Sequence, residues 1–222
     1  MTRPWTTLAT VATAEGALEL RQRGDRDFLI LIGGRVLMTT SGRRSEQELA
    51  TRACAAIARV AAPHVLIGGL GMAYTLRAAL DVLPAAARVT VAELTPEVVG
   101  WCRGPLAPLT DGAVLDPRVT VEVADVAALI ATATTGAFDA IILDLYEGPN
   151  AASQGRDDPF YGAAALARSH AALAVGGVLA VWAEDPDAAF ARRFAAARFD
   201  VTTHRAGKGG GTHVIYLGRR HA

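Results

Sequence analysis

Cysteine is nearly absent, with only Cys54 and Cys102 in 222 residues. Each stands in a segment that reads as helix with no second cysteine nearby, which argues against a metal knuckle or a redox pair and predicts buried, reduced thiols. The five histidines are scattered. None stands at helical ligand spacing from another histidine or an acid, so no metal is expected. An excess of one charge is also missing: Lys plus Arg and Asp plus Glu are 22 each. Such a chain has no broad basic field to recruit nucleic acid or an anionic membrane. Long apolar runs of the kind that span a bilayer are lacking, and "MTRPWTTLAT" has no secretory apolar core. The expected partner is a small molecule and the expected location cytoplasmic.

What is present is a chain 51% hydrophobic, enough to bury a substantial core. In "LELRQRGDRDFLILIGGRVLM" an alternating segment turns at Arg23-Gly24-Asp25, runs from Phe28 to Ile32, and turns again at Gly33-Gly34. This is β-hairpin patterning, and it makes residues 1–44 a small antiparallel appendage that must pack against residues 45–222 to be stable. Ser45-Glu46-Gln47-Glu48 has the spacing of a capping box and predicts a helix through Leu49, Ile57 and Val60, ending at Pro63.

From Val65 onward strands and helices alternate. Strands are expected at Val65–Ile67, Arg88–Glu93, Val119–Val123, Ala140–Asp144 and Val178–Trp182. Helices are expected from Tyr74 to Leu83, after Thr95-Pro96, after Asp125, across Ala163–Leu173 and after Asp185-Pro186. Gly176-Gly177 reads as a turn. Phe199–Thr203 and His213–Leu217 follow without an intervening helix, as an antiparallel edge. The pattern predicts an α/β fold with a Rossmann-like, doubly wound, mostly parallel sheet.

In such sheets ligands bind beyond the carboxyl ends of the strands. The first strand runs into "IGGLGMAY", whose Gly68, Gly69 and Gly71 let the backbone approach a ligand. The third glycine of a dinucleotide fingerprint is replaced by Tyr74, which disfavours a nicotinamide cofactor. The second strand ends in Glu93, about 20 residues beyond the turn, where an acid can accept from ribose hydroxyls. The third ends near Asp125, which either caps the helix starting at Val126 or accepts from an adenine amine. The fourth, "FDAIILDLYEGPN", delivers Asp144, Tyr146 and Glu147 from a run that reads as buried on both faces.

The order "VLIGGLG", "VTVAELTPEVV", "DPRVTVEVADV", "FDAIILD", "DDPFY" and "LAVGGVLAVWAE" resembles class I S-adenosylmethionine-dependent transferases and, within them, the spermidine synthase family. The resemblance implies aminopropyl transfer from decarboxylated S-adenosylmethionine to an amine. It places Gly68, Gly69 and Gly71 around the nucleoside, Glu93 at the ribose, and Asp125 with Val126 at the adenine. Asp144 and Glu147 match the two acids that bind and deprotonate the amine, and Tyr146 offers an aromatic face to a cation. The family tends to form dimers or larger assemblies, so the resemblance allows a homodimer, though the sequence carries no interface signature. The chain departs from the family at the glycine turn, which carries Leu70 and Met72 where an aspartate is usual, and at Met38, where a glutamine is usual. Methyl transfer from intact S-adenosylmethionine, with Lys208 or Arg43 and Arg44 meeting its carboxylate, and a non-catalytic nucleoside-binding scaffold are the alternatives.

Overall fold

The computed structural model describes residues 3–146, 148–150, 157–206 and 213–221. Strands β1 (Thr6–Thr13), β2 (Gly16–Arg23), β3 (Asp27–Ile32) and β4 (Arg35–Thr39) form an antiparallel meander in sequential order. The turns fall where glycine predicts them, with positive φ at Gly24, Gly33 and Gly34. Strand β1 adds to the expected hairpins; its Thr- and Ala-rich sequence gives little apolar alternation to read. Leu18, Leu20, Phe28, Ile30 and Ile32 turn inward and join the core beneath the main sheet. That shared burial stabilises a small sheet that would be marginal alone.

The main body begins with α1 (Arg44–Ala56), β5 (His64–Gly68), α2 (Tyr74–Val82), β6 (Arg88–Glu93) and α3 (Pro96–Arg103). It continues through β7 (Val119–Val123), α4 (Val126–Thr132), β8 (Phe138–Leu143), α5 (Ala163–Ala172) and β9 (Leu173–Ala183), and ends with α6 (Ala188–Ala196), β10 (Phe199–Ala206) and β11 (His213–Arg220). Its seven strands lie in the order β10-β11-β9-β8-β5-β6-β7. β5 to β9 are parallel, and β11 runs antiparallel between β9 and β10. Helices α1, α2 and α3 contribute to one core and α4, α5 and α6 to the other.

Strand periodicity divides the residues between these cores. In β8, Ala140 and Ile142 face the first core while Ile141 and Leu143 face the second, all fully or almost fully buried. This two-sided burial is why the strand reads as a continuous apolar run. Strand order reverses between β5 and β8, and the chain emerging from β8 is the Asp144 segment. No helix among the described residues is long and apolar enough to cross a membrane.

Three local expectations are corrected. Gly176-Gly177 is not a turn between elements but part of β9, at a register irregularity opposite Phe138 and Ala140. There a Cβ on Gly177 would come within 2.8 Å of Ala174 O and 2.9 Å of Asp139 O. The last helix is capped by Asp187 and not by Asp185-Pro186: Asp187 Oδ1 accepts from Ala189 N–H at 2.8 Å and Phe190 N–H at 2.9 Å. Thr95 occupies the N-cap of α3 with Pro96 following, but its side chain makes no capping hydrogen bond.

Asp187→Ala leaves two helix N–H groups without their acceptor and should cost about 1–2 kcal/mol. At about 2–4 °C per kcal/mol for a chain of this size, calorimetry should find the midpoint lowered by several degrees. An unchanged midpoint would mean that the cap contributes nothing.

Candidate active site

A cavity of about 560 Å³ lies between the N-terminal sheet and the carboxyl ends of β6, β8 and β9. One wall is aliphatic, from Leu18, Ile30, Ile32, Leu37 and Met38. The other carries acids: Glu46, Glu93, Asp125, Asp144 and Glu184, with Glu15 at the β1–β2 turn. His213 also lines the cavity, and no lysine or arginine does so among the described residues. The site therefore has a strong bias toward cations.

The glycine turn is built by close approach of the protein to itself. Gly69 has φ +87°, and a Cβ there would overlap the carbonyl oxygen of Asp144. Gly71 has φ +51°, and a Cβ would lie 3.0 Å from Met38 Cε. Met38, at the expected glutamine position, packs on the turn, and its Sδ receives Met72 N–H at 3.2 Å. Leu70 and Met72 are buried and point into the core, so the turn presents backbone to the cavity in place of an acid. Gly69 and Gly71 line the cavity. Gly68 stands behind it, packed against Val126 and Leu143.

Glu93 ties this turn to the next one. Its Oε2 accepts from Leu70 N–H and its Oε1 from Thr95 N–H, both at 2.9 Å. Burial raises its carboxyl above the usual range, against the lowering effect of the backbone donors. Backbone N–H groups of Leu94 and Gly71 add to the donors around this carboxylate. Asp125 does what helix capping asks of it, accepting from Ala127 N–H at 2.8 Å through Oδ1, while also facing the cavity. Val126 lines the cavity beside it.

Asp144 sits at the centre. Its backbone N–H donates to Gly68 O at 2.9 Å, fixing the end of β8 against the glycine turn. Its Oδ2 accepts from the hydroxyl of Thr75, a buried residue in the first turn of α2. Burial pushes the Asp144 carboxyl up to about 7, with the Glu46 charge as the second cause and the Thr75 hydrogen bond opposing both. A carboxyl so poised can bind an ammonium and exchange a proton with it near neutrality.

Tyr146 lines the cavity with the Arg35 guanidinium 5.1 Å over its ring, so a cation already occupies one of its faces. Trp182, at the end of β9, has its ring 4.9 Å from that of His213. Glu147 and Lys208 lie outside the described residues. Arg43 does not line this cavity; its guanidinium lies 5.9 Å over the Tyr74 ring, and Arg44 is exposed at the start of α1. Both cysteines are free and buried, and Cys102 Sγ donates to Gly71 O at 3.3 Å. Among the described residues no cluster of His, Cys, Asp and Glu is disposed to hold a metal.

The residue missed by sequence reasoning is Glu46. Ser45-Glu46-Gln47-Glu48 is not a capping box: the N-cap is Arg43, with no side-chain cap, and Glu48 pairs instead with Arg52 at 2.7 Å. Ser45 and Glu46 are both buried, and Ser45 Oγ donates to Glu46 Oε2 at 2.8 Å. The legible signal was helical phase. Glu46 lies three and four residues before Leu49 and Ala50, and Ala50 lies three and four before Ala53 and Cys54, placing the acid on the buried stripe.

The strand order, the helices on both faces and the N-terminal sheet together make a fold shared with solved spermidine synthases. Among solved structures the chain is similar to the spermidine synthase of Thermotoga maritima (TM-score 0.78, 18% identity, 96% of this chain and 72% of that one). It is likewise similar to a spermidine synthase in complex with the transition-state analogue AdoDATO (TM-score 0.77, 18% identity, 96% and 72% covered). A probable spermidine synthase from Corynebacterium glutamicum gives a TM-score of 0.65 at 21% identity, with 95% and 79% covered. No family model and no curated protein sequence matches the chain.

Proposed function

We propose that this protein is an aminopropyltransferase: it binds decarboxylated S-adenosylmethionine and passes the aminopropyl group to a small amine. The observation that carries the reading is the acidic cavity at the strand-order reversal, with the partly buried Asp144 at its centre. A decarboxylated donor brings a sulfonium and an ammonium but no carboxylate, so it suits a lining without Lys or Arg among the described residues. The fold shared with spermidine synthases supports the same reading.

In this scheme the backbone of Gly69 and Gly71 borders the nucleoside, with Gly68 supporting it from behind. Glu93 accepts from the ribose hydroxyls, and Asp125 and Val126 meet the adenine. Asp144 holds the acceptor amine. The bound donor supplies a methylene carbon activated by the adjacent sulfonium. The amine nitrogen forms a new bond to that carbon as the carbon–sulfur bond breaks; the electron pair returns to sulfur, leaving neutral 5′-methylthioadenosine. Asp144 takes the proton given up by nitrogen. We assign Tyr146 to the amine site as an aromatic face, and Glu147, outside the described residues, as the other acid of the pair that the resemblance implies.

Calorimetric titration with the decarboxylated and the intact donor tests the choice of co-substrate. Tighter binding of the decarboxylated form is expected, and preference for the intact form would point to methyl transfer. Glu93→Gln exchanges an acceptor oxygen for an NH2 group facing a backbone N–H. It should weaken donor binding about 10- to 100-fold in the same titration, with the amine KM little changed. Equal donor affinity in the variant would remove Glu93 from the ribose site.

A further inference from the structure

We propose that Glu46, held by Ser45 and His213, is the second carboxylate of the amine subsite, so that the acceptor ammonium is shared between Glu46 and Asp144. The inference rests on the reading of the cavity as an amine-binding site and assigns the residue that completes it.

Glu46 comes from α1, at the junction with the N-terminal sheet, and Asp144 from the end of β8; both line the same cavity. They are coupled, since the Glu46 charge raises the Asp144 carboxyl. A buried acid and a half-buried one that repel each other are costly without a cation between them, and none of the described lining residues is a lysine or arginine. The side chains facing Glu46 are Ser45 from its own helix, His213 from β11, Asp144, and Tyr74 of α2 with Arg43 beside its ring.

The support behind Glu46 is specific. Ser45 Oγ donates to Glu46 Oε2 at 2.8 Å, leaving its lone pairs to accept from His213 Nδ1–H at 2.9 Å. This chain of hydrogen bonds, with the Glu46 backbone N–H as a further donor, holds the carboxylate where it lines the cavity. A buried donor on the lining points the same way. Trp182 Nε1, on a ring that lines the cavity, has no hydrogen-bond partner. A water carried with a bound ammonium supplies the acceptor it lacks.

The test uses the full chain with 5′-methylthioadenosine and two probes, 1,4-diaminobutane and n-butylamine. In calorimetry, Glu46→Gln should weaken amine binding about 10- to 100-fold while the 5′-methylthioadenosine affinity stays within about twofold. In turnover assays the same change should appear in the amine KM, with kcat changed far less than by loss of the base. Ser45→Ala, which keeps the acid but loosens it, should give an intermediate rise in KM. Carbon-13 NMR of the carboxyl groups should show Asp144 titrating at lower pH in the Glu46→Gln protein. Failure of the wild type to bind either amine, or equal binding by wild type and Glu46→Gln, overturns the inference. Failure to bind 5′-methylthioadenosine would instead overturn the functional reading beneath it.

Discussion

Asp144→Asn lowers kcat by about 100- to 10,000-fold, the range lost when a positioned general base is removed. Donor affinity stays within about threefold, because Asn is isosteric and the Asp144 backbone still donates to Gly68 O. The contrast between the two readouts matters. A structural role for Asp144 would change both together, whereas a non-catalytic scaffold would have no turnover to lose. The wild-type pH profile belongs to the same prediction. With the Asp144 carboxyl at about 7, activity should fall as pH drops through about 7, because the protonated acid cannot accept the amine proton. A profile flat from pH 5.5 to 8 would place the base elsewhere.

The same residue carries a stability cost of opposite direction. Its folded pKa lies above the ordinary aspartate value, so between about pH 4 and pH 7 the native state holds the proton more firmly than the unfolded chain. The native form therefore binds more protons than the unfolded one, and stability declines as pH rises through that window. Asp144→Asn removes this dependence. It should melt above the wild type at pH 8, and the difference should shrink by pH 5. An active-site acid that destabilises its own fold is the expected trade between function and stability.

The second large effect is at Gly69. Replacement by alanine places a Cβ against the Asp144 carbonyl oxygen at a backbone φ of +87° that L residues seldom adopt. Backbone strain of about 1–3 kcal/mol, with displacement of the β8 end added to it, should lower the thermal midpoint by about 5–10 °C. Because Gly69 N–H donates to Ala92 O at 2.9 Å and the next residue's N–H is held by Glu93, the shift propagates to the proposed ribose acceptor. Donor binding should fall below detection in calorimetry. Gly71→Ala should be milder, since its Cβ meets the flexible Met38 side chain. Equal losses in the two variants would contradict this account of the turn.

The elements legible in the sequence were those whose signals repeat. The alternation from β5 to β8 is written in period-two burial, short apolar runs and glycine or proline at the joins, each supporting the others. Acids at the ends of β6 and β8 stood out because a buried strand has no structural need for a carboxylate at its end. Local signals misled where one short pattern serves two structures. Ser45-Glu46-Gln47-Glu48 has the spacing of a cap, yet helical phase buries Ser45 and Glu46, with Glu46 on the cavity, and leaves Glu48 to Arg52. Gly176-Gly177 resembles a turn but is an irregular stretch of β9 crowded by Asp139 and Ala174. The Ser45–His213 hydrogen bond joins positions 168 apart in sequence, a separation at which no local pattern gives notice.

The most direct test of the central claim is the identity of the nucleoside product, because it reports which carbon–sulfur bond is broken. The purified protein is incubated with decarboxylated and with intact S-adenosylmethionine, each with a panel of primary amines, and the mixtures are read by mass spectrometry. Amine-dependent 5′-methylthioadenosine from the decarboxylated donor, with an acceptor heavier by one aminopropyl group, is the predicted result. S-adenosylhomocysteine from the intact donor, or no nucleoside product from either, would contradict the account.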